Sequence, residues 1–214
     1  MTYLYIETDG EVYLIEENGV LTFPTTETSL SFKIEKKHKM NMEEDVVYCK
    51  PILDSHPSWT FKDNIPKMDN VSKIVREAIN LSLVRHISSA IIIKDKKVLI
   101  LKSNRGMAKG CWHWPGGFVD YGSSPEESAI RECMEELRVK VKIKELVGVL
   151  TRLPKKHHRH YAIFIPYLAE IIEGEITPQP EEVAEARWMT VDEAFKIVKN
   201  DYVIWTLNKI KHLL

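Results

Sequence analysis

The stretch from Gly116 to Val139 constrains the fold most, because it changes from a glycine turn into a capped helix with two different faces. Ser124 is a good N-cap, Pro125 suits the first helical turn, and Glu127 follows Ser124 by three residues. Together they predict a capping box at the start of a helix. Four apolar residues then recur at the spacing of a helix face that packs against a core: Ile130, Cys133, Met134 and Leu137.

Three glutamates lie on another side of this predicted helix: Glu132, Glu135 and Glu136. Like charges three and four residues apart on a helix repel each other, so two interpretations are open. The acids form a solvated face, or they bind a divalent cation, because hard cations such as Mg²⁺ take a few carboxylates together with substrate phosphates. The glycine turn, the capped start and the adjacent Arg131 favour the second interpretation.

The same stretch resembles the Nudix box, whose pattern is Gly, five residues, Glu, seven residues, then Arg-Glu-apolar-x-Glu-Glu-x-Gly-apolar. The positions that match the pattern are Gly117, Arg131, Glu132, Glu135, Glu136 and Val139. Ser123 stands where the pattern has its first Glu, and Arg138 stands where it has its second Gly. The family's entry to the box is also present, in Gly110, Trp112, Trp114, Pro115, Gly116 and Gly117.

Strand and turn signals predict two domains and an α+β fold class. Residues 1–84 form a β-rich module that ends in a helix, in which the basic run at residues 36–39 is expected to be a solvated loop. Residues 85–214 form the second domain, and about residues 85–200 of it resemble a Nudix domain, which implies an α/β/α sandwich with a mixed sheet and C-terminal helices. In related enzymes N-terminal β elements often build a dimer, so the module is expected to form a homodimer or to cover the substrate.

Composition excludes several classes of protein. The 214 residues are 44% hydrophobic and 29% charged with a formal net charge of -1, so nothing points to a nucleic-acid or membrane partner. The apolar runs are too short for a membrane span, and the first residues lack the pattern of a signal peptide. Three widely spaced cysteines provide neither a disulfide framework nor a zinc site, which favours a cytoplasmic location.

The resemblance also implies roles for the acidic residues. In the family the glutamates of the box bind metal, which implies that Glu132, Glu135 and Glu136 bind Mg²⁺ or Mn²⁺. Arg131 is expected to orient a glutamate through a bidentate ion pair, although an ordinary surface salt bridge of under about 1 kcal/mol is the alternative. In the family a further acid often precedes a late Trp, here Trp188, which implies a fourth ligand or the general base at that place. The candidate is Glu182, with Glu181 and Glu185 as rivals, and Glu135 is the other candidate catalytic carboxylate.

Substrate contacts are predicted from the loops around the box. Arg105 precedes the box, and Gly116 and Gly117 form its turn. His158 and Arg159 belong to a basic loop that either binds phosphates or a terminal sugar of the substrate, or is merely solvated. Pro154, fifteen residues after Val139, resembles a feature of ADP-ribose pyrophosphatases in the family.

The function expected from this resemblance is metal-dependent hydrolysis of a small nucleoside diphosphate derivative, of the ADP-ribose or nucleotide-sugar type, with release of a nucleoside monophosphate. Two alternatives stay open. One is a nucleoside triphosphate pyrophosphohydrolase. The other is a Nudix-like sensor that binds a nucleotide without hydrolysing it, which the Ser123 departure keeps open.

Overall fold

The structure, a computed structural model, describes residues 1–153 and 161–214. These residues form two compact units. The first comprises residues 1–84 with Leu153 and Tyr161, and the second comprises residues 85–152 and 162–214. Within the described residues, none of the helices is both long and apolar enough to cross a bilayer.

The first unit is a β-rich module with one α-helix. Its elements in chain order are β1 (Thr2–Thr8), β2 (Glu11–Tyr13), β3 (Ile15–Glu17), β4 (Val20–Thr22), β5 (Lys33–Lys39), β6 (Asp45–Ile52), β7 (Thr60–Phe61) and α1 (Lys73–Ser82). Five strands form a sheet in the order β5-β6-β1-β2-β7, and β3 and β4 form a separate hairpin. The central pair, β1 and β6, is parallel.

The core of this module lies between the sheet and α1. Tyr5 is buried on β1 and stacks against Phe23, with 5.0 Å between the ring centroids. Helix α1 packs against the same core through its apolar side, which comprises Ile74, Val75, Ala78 and Ile79.

The basic run from Lys36 to Lys39 is part of strand β5, so the prediction of a solvated loop was wrong. Its register with β6 places His38 opposite Tyr48. Because β5 is an edge strand with mostly exposed side chains, it lacks the alternation of apolar and polar residues that reveals a half-buried strand. Lysines are common on sheet edges, where they prevent pairing with other chains.

The second unit contains a mixed sheet and three α-helices. Its elements are β8 (Arg85–Lys94), β9 (Lys97–Ser103), β10 (Trp112–His113), β11 (Gly116–Phe118), α2 (Pro125–Leu137), β12 (Lys140–Leu146), β13 (Leu150–Arg152), β14 (Ala162–Glu173), β15 (Val183–Met189), α3 (Val191–Ile197) and α4 (Asp201–Ile210). The main strand order is β10-β9-β8-β14-β12, with β11 beside β8, β13 beside β14 and β15 beside β9.

Strand β8 shows why this unit has three layers. Ala90 and Ile92 belong to the core cluster that contains Cys133 of α2, whereas Ile91 belongs to the cluster that contains Val203 of α4. Successive side chains of a strand point to opposite faces of its sheet, so helices cover both faces. The predicted α+β class and the α/β/α sandwich with a mixed sheet are confirmed.

Candidate active site

Helix α2 begins as its local sequence predicts. The Ser124 hydroxyl accepts a hydrogen bond from the Glu127 amide at 3.1 Å, and the Glu127 carboxylate accepts one from the Ser124 amide at 2.8 Å, so the predicted capping box is present. Pro125 occupies the first helical position. The helix ends at Leu137, and Arg138 follows in the left-handed conformation, with φ 60° and ψ 28°.

The acidic side of α2 is not a solvated face, because Glu132 and Glu136 are buried. The Glu136 carboxylate accepts a hydrogen bond from the Gly116 amide at 2.9 Å. Burial raises the pKa of Glu136 to about 8; the Gly116 hydrogen bond opposes this shift, and the nearby Glu132 and Glu182 carboxyls add to it. Burial also raises the pKa of Glu132, against the influence of the Arg131 guanidinium. Glu135 is the exposed member of the three, with a side chain 48% accessible.

Close backbone approach explains the glycine turn. Strand β11 pairs with β8 so that Gly116 lies opposite Ser89 and Gly117 opposite Ser88. A Cβ atom on Gly117 would lie 2.2 Å from Oε1 of Glu132, so the turn passes closer to that carboxylate than any side chain would allow. The two glycines therefore lie beside two of the predicted metal ligands.

Arg131 joins the carboxylates and the turn. Its guanidinium lies 2.9 Å from Oε1 of Glu132 and 2.6 Å from Oε2 of Glu135, and it donates to the Phe118 carbonyl at 3.2 Å. It also lies 3.2 Å from Oδ2 of Asp120. One guanidinium thus contacts three carboxylates, an arrangement that goes beyond an isolated surface salt bridge.

Asp120 supplies a carboxylate near the position where Ser123 replaces the glutamate of the family pattern. Ser123 has three acidic neighbours in the sequence, and their contacts differ. Asp120 reaches Arg131, Glu127 caps the helix, and Glu126 interacts with the Tyr167 hydroxyl. The local sequence could not separate these three, because the distinction depends on the direction of each side chain.

Glu182 and Arg105, which are far apart in the sequence, form an ion pair of 2.6 Å. The Asn104 amide donates to the Glu182 carbonyl at 2.7 Å, so the two loops are also joined through their backbones. Glu182 is close enough to raise the pKa values of Glu132 and Glu136, whereas its rival Glu185 pairs with Arg187.

The structure brings together most of the residues that were singled out from the sequence: Arg105, Gly116, Gly117, Arg131, Glu132, Glu135, Glu136 and Glu182. The predicted contacts His158 and Arg159 lie outside the described residues. Gln179 was missed: its amide donates to the Glu136 carbonyl at 2.9 Å, and no motif in the sequence marks it.

The predicted metal ligands do not form a preassembled site. Across residues 1–153 and 161–214, no group of three or more His, Cys, Asp or Glu side chains is arranged so that it could hold a metal ion. Glu132 and Glu135 are instead paired with Arg131, and Glu182 is paired with Arg105.

Comparison with known proteins agrees with this geometry. A family profile described as NUDIX domain matches residues 84–207, which is more than half of the chain. An ADP-ribose pyrophosphatase from Methanocaldococcus jannaschii is 36% identical over 122 residues, covering 54% of this chain and 70% of that protein. An NAD-capped RNA hydrolase NudC from Pseudomonas syringae is 34% identical over 117 residues. That match covers 53% of this chain but only 40% of the relative's own length.

Solved structures show the same fold. A MutT NUDIX hydrolase from Burkholderia pseudomallei superposes with a TM-score of 0.55 at 25% identity, over 60% of this chain and 99% of that one. A NUDIX hydrolase from Nitrosomonas europaea, at 17% identity and a TM-score of 0.53, covers 61% of this chain and 90% of that one and supports the fold alone. With the box residues gathered at one place and the profile spanning residues 84–207, the chain belongs to the Nudix hydrolase family.

Proposed function

We propose that this chain hydrolyses the phosphoanhydride bond of a nucleoside diphosphate linked to a second group, with ADP-ribose or a nucleotide sugar as the substrate class. The observation that carries the proposal is the burial of Glu132 and Glu136 against the turn at Gly116 and Gly117, with Glu182 close enough to raise the pKa of both carboxyls. The ADP-ribose pyrophosphatase from Methanocaldococcus jannaschii, which matches over most of its own length, supports this choice of substrate.

A divalent cation fits the chemistry of these residues. All the donors are carboxylate oxygens, as Mg²⁺ and Mn²⁺ prefer, and their mutual proximity raises the pKa values of Glu132 and Glu136 beyond the effect of burial. Glu132, Glu135 and Glu136 would hold the cation, with Glu182 as a fourth ligand or the base. When bound, it would neutralise phosphate charge and make a bound water more acidic.

The chain's own residues would position the substrate and move the proton. Arg131 keeps Glu132 and Glu135 oriented, since it contacts both. Arg105 is paired with Glu182, so a substrate phosphate that attracts the guanidinium would release Glu182 for proton abstraction from the attacking water. Glu135, which is more exposed, is the alternative base.

A substrate panel tests the proposal. With Mg²⁺ or Mn²⁺, we expect ADP-ribose and water to give AMP and ribose 5-phosphate, separated by ion-exchange chromatography, with nucleotide sugars and nucleoside triphosphates in parallel. Release of pyrophosphate from a triphosphate, with ADP-ribose inert, would instead select the pyrophosphohydrolase. Tight nucleotide binding without turnover would select a sensor, and either result would contradict the proposal.

Asp120 gives another prediction, because it pairs with Arg131 from the loop that precedes α2. The Asp120→Asn variant should reduce kcat by about twofold to fivefold, the range of an exposed ion pair, and should melt within about 2 °C of the wild type. Glu126→Gln is the matched control, since Glu126 is an exposed neighbour that interacts with Tyr167 instead of Arg131. Equal kcat values for Asp120→Asn and the wild type would show that Asp120 has no role in the candidate active site.

The homodimer and the cytoplasmic location stay predictions, as does the division of the chain into domains at residues 84 and 85. Light scattering of the purified protein measures the oligomeric state directly. The three cysteines, Cys49, Cys111 and Cys133, are free thiols.

A further inference from the structure

Arg138 has an unusual backbone conformation for its residue type. It follows the last turn of α2 with a φ of 60°, in the left-handed region that favours glycine. The Nudix box has a glycine at this position, so the chain accepts strain that the family pattern avoids. Glycine would adopt this backbone conformation without strain, so the backbone does not explain the arginine, and its side chain could have a role of its own.

That side chain contacts one particular residue. The Arg138 guanidinium donates a hydrogen bond to Oε1 of Gln179 at 2.9 Å, and the Gln179 side-chain amide donates to the Thr177 carbonyl at 3.3 Å. Both hydrogen-bonding ends of the Gln179 side chain are thus engaged, which fixes its direction.

Gln179 is also the backbone link between α2 and the segment that carries Glu182. Its amide donates to the Glu136 carbonyl at 2.9 Å, and its carbonyl accepts from the amides of Glu182 and Val183 at 3.0 and 2.8 Å. Carbonyls in the last turn of a helix have no partner within the helix, so a neighbouring segment can bind there. Thr177 binds in the same way, donating to the Leu137 carbonyl at 2.8 Å.

We propose that Arg138 is a positioning residue, which holds Gln179 and thereby fixes the distance between Glu182 and the carboxylates of α2. This inference rests on the proposed function, since it concerns the assembly of the cation site. At the position where the family pattern has a glycine, this chain has an arginine whose side chain holds the segment that supplies the fourth carboxylate. Arg138 acts through Gln179 and the backbone, and it does not itself touch the substrate.

The experiment separates backbone strain from positioning. The Arg138→Gly variant relieves the backbone strain and removes the hydrogen bond to Gln179. Its melting temperature without metal should therefore equal or exceed that of the wild type. Its affinity for Mn²⁺, measured by isothermal titration calorimetry, should fall about tenfold, the lower end for residues that support metal ligands from outside. A helix cap without a positioning role would leave the Mn²⁺ affinity unchanged, and that result would overturn the inference.

A double-mutant cycle identifies the partner. Gln179→Ala should lower the Mn²⁺ affinity as Arg138→Gly does, and the double variant should be no weaker than the stronger single variant, because both changes break one contact. Additive losses would overturn the inference. Lys140→Ala is the matched control, because Lys140 lies two residues after Arg138 and forms an exposed ion pair with Glu173. This variant should leave Mn²⁺ binding unchanged.

Mn²⁺ binding and hydrolysis by the wild type distinguish failure of this inference from failure of the proposed function. If the wild type binds Mn²⁺ and Glu136→Gln does not, while Arg138→Gly binds as tightly as the wild type, only the role of Arg138 is lost. If the wild type binds no Mn²⁺ and hydrolyses nothing in the substrate panel, the proposed function fails and this inference fails with it.

Discussion

Replacing Glu136 by glutamine should lower kcat for ADP-ribose hydrolysis by about 10²- to 10³-fold, a loss typical of removing one preorganised electrostatic group from an active site. Glu136 is buried and lies near Glu132 and Glu182, so the substitution removes a metal-binding carboxylate from the centre of the candidate metal site. Glutamine keeps the size of the side chain and an oxygen that can accept the hydrogen bond from Gly116. The measurement is AMP release at saturating substrate and Mg²⁺.

The same variant has a second readout that does not depend on turnover. The pKa of Glu136 is raised from 4.5 to about 8 by burial, so the folded protein holds this proton more tightly than the unfolded chain. The resulting stability is fully present below about pH 4.5 and is lost as the pH rises through about 8. In EDTA, the wild type should therefore melt at a lower temperature at pH 8.5 than at pH 6, and Glu136→Gln should remove this part of the difference.

Glu145→Gln is the matched control for both readouts, because Glu145 is exposed on β12 and lies outside the candidate site. It should leave kcat and the pH dependence of melting as they are in the wild type. If Glu136→Gln retained wild-type kcat in Mg²⁺, the assignment of Glu136 as a metal ligand would be wrong.

The start of α2 could be predicted because its signals are local. Ser124, Pro125 and Glu127 lie within four residues, and Ser124 and Glu127 make their hydrogen bonds to each other, so spacing alone identifies the cap. The burial of Glu132 and Glu136 could not be predicted in this way. It depends on strand β11, which brings the glycine turn against α2 through its pairing with β8, a contact between distant parts of the sequence. Ile130 shows the reverse error: its spacing placed it on the apolar side, yet it is 37% exposed.

The meeting of Arg105 with Glu182 also follows from strand register. Strands β9 and β15 are antiparallel with Val183 opposite Ser103, so the residue before β15 lies beside the loop that follows β9. The sequence pointed to Arg105 and Glu182 separately. It contained no information on the register that makes them an ion pair, because register depends on which faces of the two strands are buried together.

The two adjacent glycines of β11 face different neighbours, so alanine at each should have a different effect. A Cβ on Gly116 would lie 2.3 Å from the Ser88 carbonyl oxygen and 2.6 Å from the Ser89 Cα, which are backbone atoms of the central strand β8. Because that backbone cannot move without disturbing the sheet, Gly116→Ala should cost about 3 kcal/mol, near the upper end for overpacking. The expected decrease in melting temperature is roughly 6–12 °C.

Gly117→Ala should instead reduce activity more than stability. Its Cβ would lie 2.2 Å from Oε1 and 2.6 Å from Cδ of Glu132, the end of a flexible side chain, which can move away at little cost to the fold. That movement would take Glu132 from Arg131, to which it is paired at 2.9 Å, and from the candidate metal site. We expect kcat to fall about 10- to 100-fold, as for a displaced catalytic group, while the melting temperature stays within about 3 °C of the wild type.

Each variant is a control for the other, because both add one methyl group at neighbouring positions of one short strand. A large loss of stability in Gly117→Ala would mean that the Glu132 carboxylate is held rigidly and is part of the folded core. Normal kcat in a stable Gly117→Ala protein would mean that Glu132 can move without affecting the reaction, and Glu132 would then no longer be a candidate metal ligand.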